Sequence, residues 1–103
     1  MAARNAEGAE TDTAKAEEEL IKKGLVRRIA LDIQELGWTQ REAAECLEVD
    51  QPKVSALLNG NLAGFTVSRL MRFLAALGHD VDVTVKPRDR RQKKRGHIAV
   101  ISD

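Results

Sequence analysis

The run TQREAAECLEVDQPKVSALLNG, Thr39 to Gly60, decides how this chain folds. Thr39 followed three residues later by Glu42 is a capping box, in which each side chain satisfies a backbone N–H at the other's position. A helix therefore opens at Gln40 and runs to Leu47. Asp50 stands where a second N-cap belongs. Pro52 falls in the first turn after it, where a missing N–H costs nothing. That reading gives a helix over Gln51 to Leu58, ended by Asn59 and Gly60. Two short helices joined through Glu48, Val49 and Asp50 have the geometry of a helix-turn-helix. Ala43, Ala44, Leu47, Val49, Val54 and Leu57 fall where such a unit buries its inner face, with Ala44 small at the crossing.

Upstream, Leu20, Ile21, Leu25, Ile29, Ile33 and Leu36 recur at three- and four-residue spacing, which predicts a helix from about Ala14 to Leu36. Gly24 weakens it by about 1 kcal/mol relative to Ala, and marks either a kink or the end of a peripheral first turn. Gly37 closes the element. Downstream, Thr66 caps a further helix to Leu77, with Phe65 and Leu70 set as a hydrophobic staple. The period then changes. Val81, Val83 and Val85 alternate with polar residues between Asp80 and Lys86, which predicts a half-buried strand ended by Pro87. Such a strand needs a partner. The partner is either the same strand of a second chain or His97 to Ile101 folding back. The second chain is favoured, because the connection from Pro87 to Gly96 holds six Lys or Arg and looks flexible rather than turn-forming.

The chain has 103 residues, enough for one modest core and too few for a doubly wound sheet or a barrel enzyme. Its only aromatics are Trp38, Phe65 and Phe73, so the core is aliphatic and helical. Cys46 is the lone cysteine and reads as a small buried hydrophobe. One Cys with the distant His79 and His97 offers no metal-ligand cluster. His79 reads as a helix-end residue and His97 as a tail residue. No apolar leader or 18-residue apolar run occurs, which points to the cytoplasm. No cofactor is expected. No nucleophile set or phosphate-cradling glycine loop is seen, so an enzyme is not expected.

The formal charge is +1, but it is unevenly spread. Residues 1–24 carry four bases and six acids, residues 25–85 six and eight, and residues 86–103 seven and two. Gln51 to His79 contains Lys53, Arg69 and Arg72 and no acid at all, a surface that attracts an anion. The basic run Lys86 to Arg95 reads either as a solvated tail or as a non-specific contact with DNA or another partner.

The stretch Thr39 to Gly60 resembles the signature of the Xre (Cro/CI-like) helix-turn-helix proteins from end to end. FTVSRLMRFLAALGHDVDVTV, Phe65 to Val85, is similar to the fourth helix and terminal strand of a subgroup containing HigA-type antitoxins. One departure is Glu48, where the family usually has Gly. The resemblance implies a mainly α fold, a lambda-repressor-like bundle of four to five helices with one C-terminal β-strand that pairs across a dimer through Val81, Val83 and Val85. The small polar residues at the start, with nothing to bury, read as a disordered arm at 1–13, which leaves a DNA-binding domain at 14–86 and a basic flexible tail at 87–103.

In such units the second of the two short helices enters the major groove of double-stranded DNA. Gln51 is then suited to adenine N6 and N7, and Lys53 to guanine or phosphate, with Ser55 next along the face. Pro52 offers apolar contact. Thr39, Gln40 and Arg41 present a helix N-terminus to phosphate, and Asn59 and Asn61 add further phosphate contacts. Asp50 suits a DNA face poorly and is explained by its capping role. The implied function is a sequence-specific repressor acting as a homodimer on an inverted repeat, as the antitoxin of a toxin–antitoxin operon. The alternatives are a stand-alone regulator without a toxin, or a protein-interaction module.

Overall fold

The computed structural model describes residues 2–89, 91 and 95–102, with side chains from residue 12 onward. Arg90, Gln92, Lys93, Lys94 and Asp103 of the expected basic tail, and Met1 of the expected arm, lie outside the described residues. The described residues form four α-helices: α1 (Ala2–Leu36), α2 (Gln40–Leu47), α3 (Gln51–Leu58) and α4 (Val67–Ala76).

α1 buries Leu25, Val26, Ile29 and Ile33, one stripe at three- and four-residue spacing, and packs most extensively on α4. α2 and α3 add Ala43, Ala44, Leu47, Val54 and Leu57 to the same core, and α4 adds Leu70, Phe73 and Leu74. Ile29, Val54, Leu57 and Leu70 are closed off almost completely from water. Truncating Ile29, Leu57 or Leu70 to alanine costs about 2–5 kcal/mol by lost burial and the cavity left behind. Phe65 and Leu70 are both buried at the start of α4, consistent with the staple. The Thr66 hydroxyl there accepts from the Arg69 N–H at 3.1 Å.

Two polar ties set the direction of α1 against α4. At one end the buried Lys22 Nζ donates to the Leu62 carbonyl at 3.3 Å, and it pairs with Glu18 at 3.4 Å. At the other the buried Asp32 carboxylate pairs with Arg28 Nη2 at 3.0 Å and lies 2.5 Å from His79 Nε2. Lys22 thus meets the chain before it enters α4, and Asp32 meets it after it leaves. The two helices therefore run in the same sense. A buried cation and a buried carboxylate are tolerable because each has partners.

The α2–α3 turn passes through Glu48 at φ 57° and ψ 46°, the left-handed region. The Val49 N–H reaches back to the Ala44 carbonyl at 3.0 Å and closes α2. Glycine is unstrained there, whereas Glu pays about 1 kcal/mol, which is the local meaning of the departure at this position.

The expected C-terminal strand is not formed, and the helices among the described residues number four. Residues 79–89 follow α4 as irregular chain, and among the described residues no β-strand is present. Residues 97–102 do fold back, so that with 79–86 they wall a groove of about 900 Å³ over α1 and α4. No ladder joins the two segments. Alternation of valines fixes which side chains share a face, but a strand exists only where a neighbour takes its N–H and C=O groups in register. Val81, Val83 and Val85 are accordingly exposed, at 37%, 77% and 89%.

Gly24 does not end α1, which runs through it. A Cβ at this position would lie 2.8 Å from Val100 Cβ, so the glycine is the notch in which the returning segment sits. Gly24→Ala should strengthen α1 by up to about 1 kcal/mol of helix propensity while expelling Val100. In methyl NMR spectra the Val100 resonances should move to solvent-exposed positions, with those of Ile29 and Ile33 unchanged. Unmoved Val100 methyls would contradict the packing.

Candidate nucleic-acid interface

α3 has two turns, and burial of Val54 and Leu57 fixes its rotation. Gln51, Pro52 and Lys53 are left fully exposed at its N-terminal end, with Ser55 half-buried beside them. Pro52 and Ser55 point away from the buried Val54 and Leu57, while Gln51 and Lys53 flank them on either side. Asn59, the C-cap of α3, is exposed and its Nδ2 donates weakly to Ser55 Oγ at 3.4 Å. Asn61 is also exposed, and its backbone N–H is anchored on the Ala56 carbonyl at 2.9 Å.

The N-terminus of α2 is held by the full capping box. Glu42 N–H donates to Thr39 Oγ1 at 3.1 Å, and Thr39 N–H donates to Glu42 Oε1 at 2.9 Å. The Thr39 hydroxyl is thus committed as an acceptor and retains only its own proton to offer a phosphate. Gln40 is half-buried and Arg41 exposed. The fold places Thr39 to Arg41, Gln51 to Ser55 and Asn59 to Asn61 on α2, on α3 and directly after it. Val81, Val83 and Val85 lie apart from these, on the chain that follows α4.

Asp50 differs from its sequence reading. Its backbone has N-cap geometry, with φ −72° and ψ 150°, but its side chain makes no capping hydrogen bond. The carboxylate is exposed one residue before Gln51. There it repels phosphate and can only accept, for example from a cytosine amino group.

Arg69 was not among the residues expected to form the site. Its guanidinium carbon lies 5.9 Å from the Phe65 ring centre and 5.6 Å from that of Phe73, and Lys53 Nζ lies 5.8 Å from Phe65. The two rings meet edge to face at 6.1 Å and 74°. One aromatic pair therefore backs a cation from α3 and a cation from α4, each contact contributing about 0.5–1 kcal/mol. The four-residue spacing of Arg69 and Phe73 puts those two on one side of α4, and Phe65, just before the Thr66 cap, was already marked as the staple residue at that end.

Cys46 is half-buried, with its Sγ 3.7 Å from the Ala76 carbonyl, a structural position on the back of α2. Among the described residues no group of three metal-binding side chains occurs, and no helix is long and apolar enough to cross a membrane.

The model of a family described as helix-turn-helix domain matches residues 9–86. A solved structure described as a candidate XRE family transcriptional regulator is 37% identical, with a TM-score of 0.79. The match covers 86% of this chain and 99% of that one. No curated protein matches. With α2, turn and α3 in place and the likeness extending over most of its length, the chain belongs to the helix-turn-helix domain family, and within it to the XRE type.

Proposed function

We propose that this protein is a sequence-specific DNA-binding transcriptional repressor that acts as a homodimer on an inverted repeat. The observation that carries the reading is the N-terminal end of α3, where Gln51 and Lys53 are exposed on the flanks of a helix whose inner side, Val54 and Leu57, is locked into the core. Such an end is sized for a major groove, and Gln51 has the paired donor and acceptor that adenine requires. Thr39 and Arg41 at the start of α2, with Asn59 and Asn61 after α3, flank it as phosphate contacts. The solved relative's description as a regulator points the same way.

Dimerisation follows from two considerations. A helix of two turns reads only a few base pairs, so operator-level specificity calls for a second copy about one DNA turn, roughly 34 Å, away. In addition, Val83 and Val85 hold 77% and 89% of their surface in water, and Ile98 and Ile101 on the returning segment hold 60% and 89%. We assign side-chain contact between copies to Val81, Val83 and Val85. The antitoxin role rests on the resemblance of Phe65 to Val85 to the HigA-type subgroup. It requires that the product of a neighbouring gene, a small basic protein, co-purify with this chain. Recovery of this chain alone from cells expressing both genes would remove it.

Two sets of variants test the reading. On duplex from the protein's own promoter, Gln51→Ala should cost about 1–3 kcal/mol and relax preference at one base pair, whereas Arg41→Ala should weaken all duplexes alike. Equal losses on promoter and random duplex for Gln51→Ala would contradict base reading by α3. The double variant Val83→Asp with Val85→Asp should sediment as a monomer, keep its helical circular dichroism, and lose affinity for the full repeat. A dimer that persists would overturn the contact assigned to the valines.

A further inference from the structure

Several cations of this protein are cancelled where they stand: Lys22 pairs with Glu18, Arg28 with Asp32 and Glu35, and Arg91 with Asp89. Lys53 and Arg69 are held differently. Lys53 Nζ lies 5.8 Å from the centre of the Phe65 ring, and the Arg69 guanidinium carbon lies 5.9 Å from that ring and 5.6 Å from Phe73. Among the described residues neither cation has a carboxylate partner. Glu48 lines the same hollow as Arg69 and Arg72 but makes no ion pair with either. An aromatic face steadies a cation without neutralising it, so Lys53 and Arg69 keep a full charge to offer an anion. The Arg69 guanidinium also keeps its fork of N–H donors.

The same contacts place both charges relative to α3. Each lies within about 6 Å of one ring, so no more than about 12 Å separates them. That is about the width of the major groove. Their direction follows from the rotation of α3. At about 100° per residue, Gln51 and Lys53 project from opposite flanks of the helix, on either side of Pro52. Phe65 is buried directly before α4, so the Lys53 flank is the one turned toward α4. Gln51 looks to the other side. Arg69 is fixed as well, since it is half-buried in the first turn of α4 and its backbone N–H donates to the Thr66 cap at 3.1 Å. A side chain already confined in this way loses little freedom when a ligand arrives.

We propose that Lys53 and Arg69 together clamp the phosphate backbone of the DNA strand that borders the groove entered by α3, and that Lys53 reads no base. This deepens the DNA-binding reading and rests on it. Guanine and phosphate are both within the chemistry of an ammonium group, and the geometry selects phosphate. The Lys53 ammonium is drawn to the Phe65 ring at the α4 side of the helix, where a second uncancelled cation stands. Two like charges attached to one ring favour an anion over the uncharged edge of a base. Arg69 adds the planar fork that matches two phosphate oxygens at once. The two flanks of α3 thus divide the work, with Gln51 reading sequence and Lys53 holding the backbone.

Salt dependence tests the proposal, because each phosphate neutralised contributes about 0.9 to the slope of log K against log salt. Fluorescence anisotropy would be measured on promoter and random-sequence duplexes over a series of potassium chloride concentrations. Lys53→Ala and Arg69→Gln should each make the slope shallower by about 0.9 on both duplexes, and the double variant by about twice that, with helical circular dichroism unchanged. In all three the promoter-to-random affinity ratio should stay within about two-fold of the parent. Arg69→Lys, which keeps the charge, should keep the parental slope. An unchanged slope in Arg69→Gln would overturn the role of Arg69. A ratio lowered about five-fold or more in Lys53→Ala, the loss that a base contact carries, would overturn the assignment of Lys53 to phosphate. Absence of duplex binding by the parent protein would instead overturn the DNA-binding reading itself.

Discussion

Val54 and Leu57 are each only 1% exposed, and α3 has just two turns in which to achieve this. Seating both side chains in the core shared with Ala43, Ala44 and Leu47 leaves Gln51, Pro52 and Lys53 exposed at the N-terminal end of α3. An eight-residue helix does not persist alone in water, so α3 exists only because tertiary burial holds it. The same constraint explains the turn. Bringing α3 across α2 requires a left-handed residue at Glu48, and the core repays the strain of placing a non-glycine there. Ala44 permits the close crossing, since a larger side chain would push the two helices apart.

Around that unit, α1 and α4 supply a platform whose ends are fastened by buried polar pairs. Lys22 on the Leu62 carbonyl fixes the segment that follows α3, and Asp32 with His79 and Arg28 fixes the exit from α4. These ties are directional where hydrophobic packing is not, so they determine which end of the bundle carries the recognition helix and which releases the C-terminal chain. A charge buried without its partner is costly, which makes each of them a strong constraint on alternative packings.

Most of the helical architecture was legible in the sequence, because short elements with strong caps declare their boundaries. Thr39 with Glu42, Thr66 with Phe65 and Leu70, and Gly37 each mark an end that the structure places where the local chemistry requires it. Tertiary relations were not legible. Nothing in the pattern distinguishes a kink at Gly24 from a notch for Val100, seventy-six residues away. The Lys22–Leu62 and Asp32–His79 pairs join residues 40 and 47 positions apart, beyond any local signal. The valine alternation misled for a related reason. Periodicity reports the burial of side chains, whereas a strand is defined by backbone partners that a single sequence does not reveal. Asp50 shows the converse, since its cap position was right in backbone and unused in side chain.

A near-neutral total of +1 conceals a marked separation of charge along the chain. The acids lie mainly in the N-terminal region and between Asp32 and Asp50, and on the proposed reading this limits non-specific attraction and leaves discrimination to a few side chains of α3. The most direct test of that account is selection of binding sequences by the intact protein from a pool of random duplexes. The account predicts enrichment of an inverted repeat whose half-sites are centred about one helical turn apart, each with a fixed adenine opposite Gln51. Enrichment of a single unrepeated site, or of no sequence at all, would contradict it.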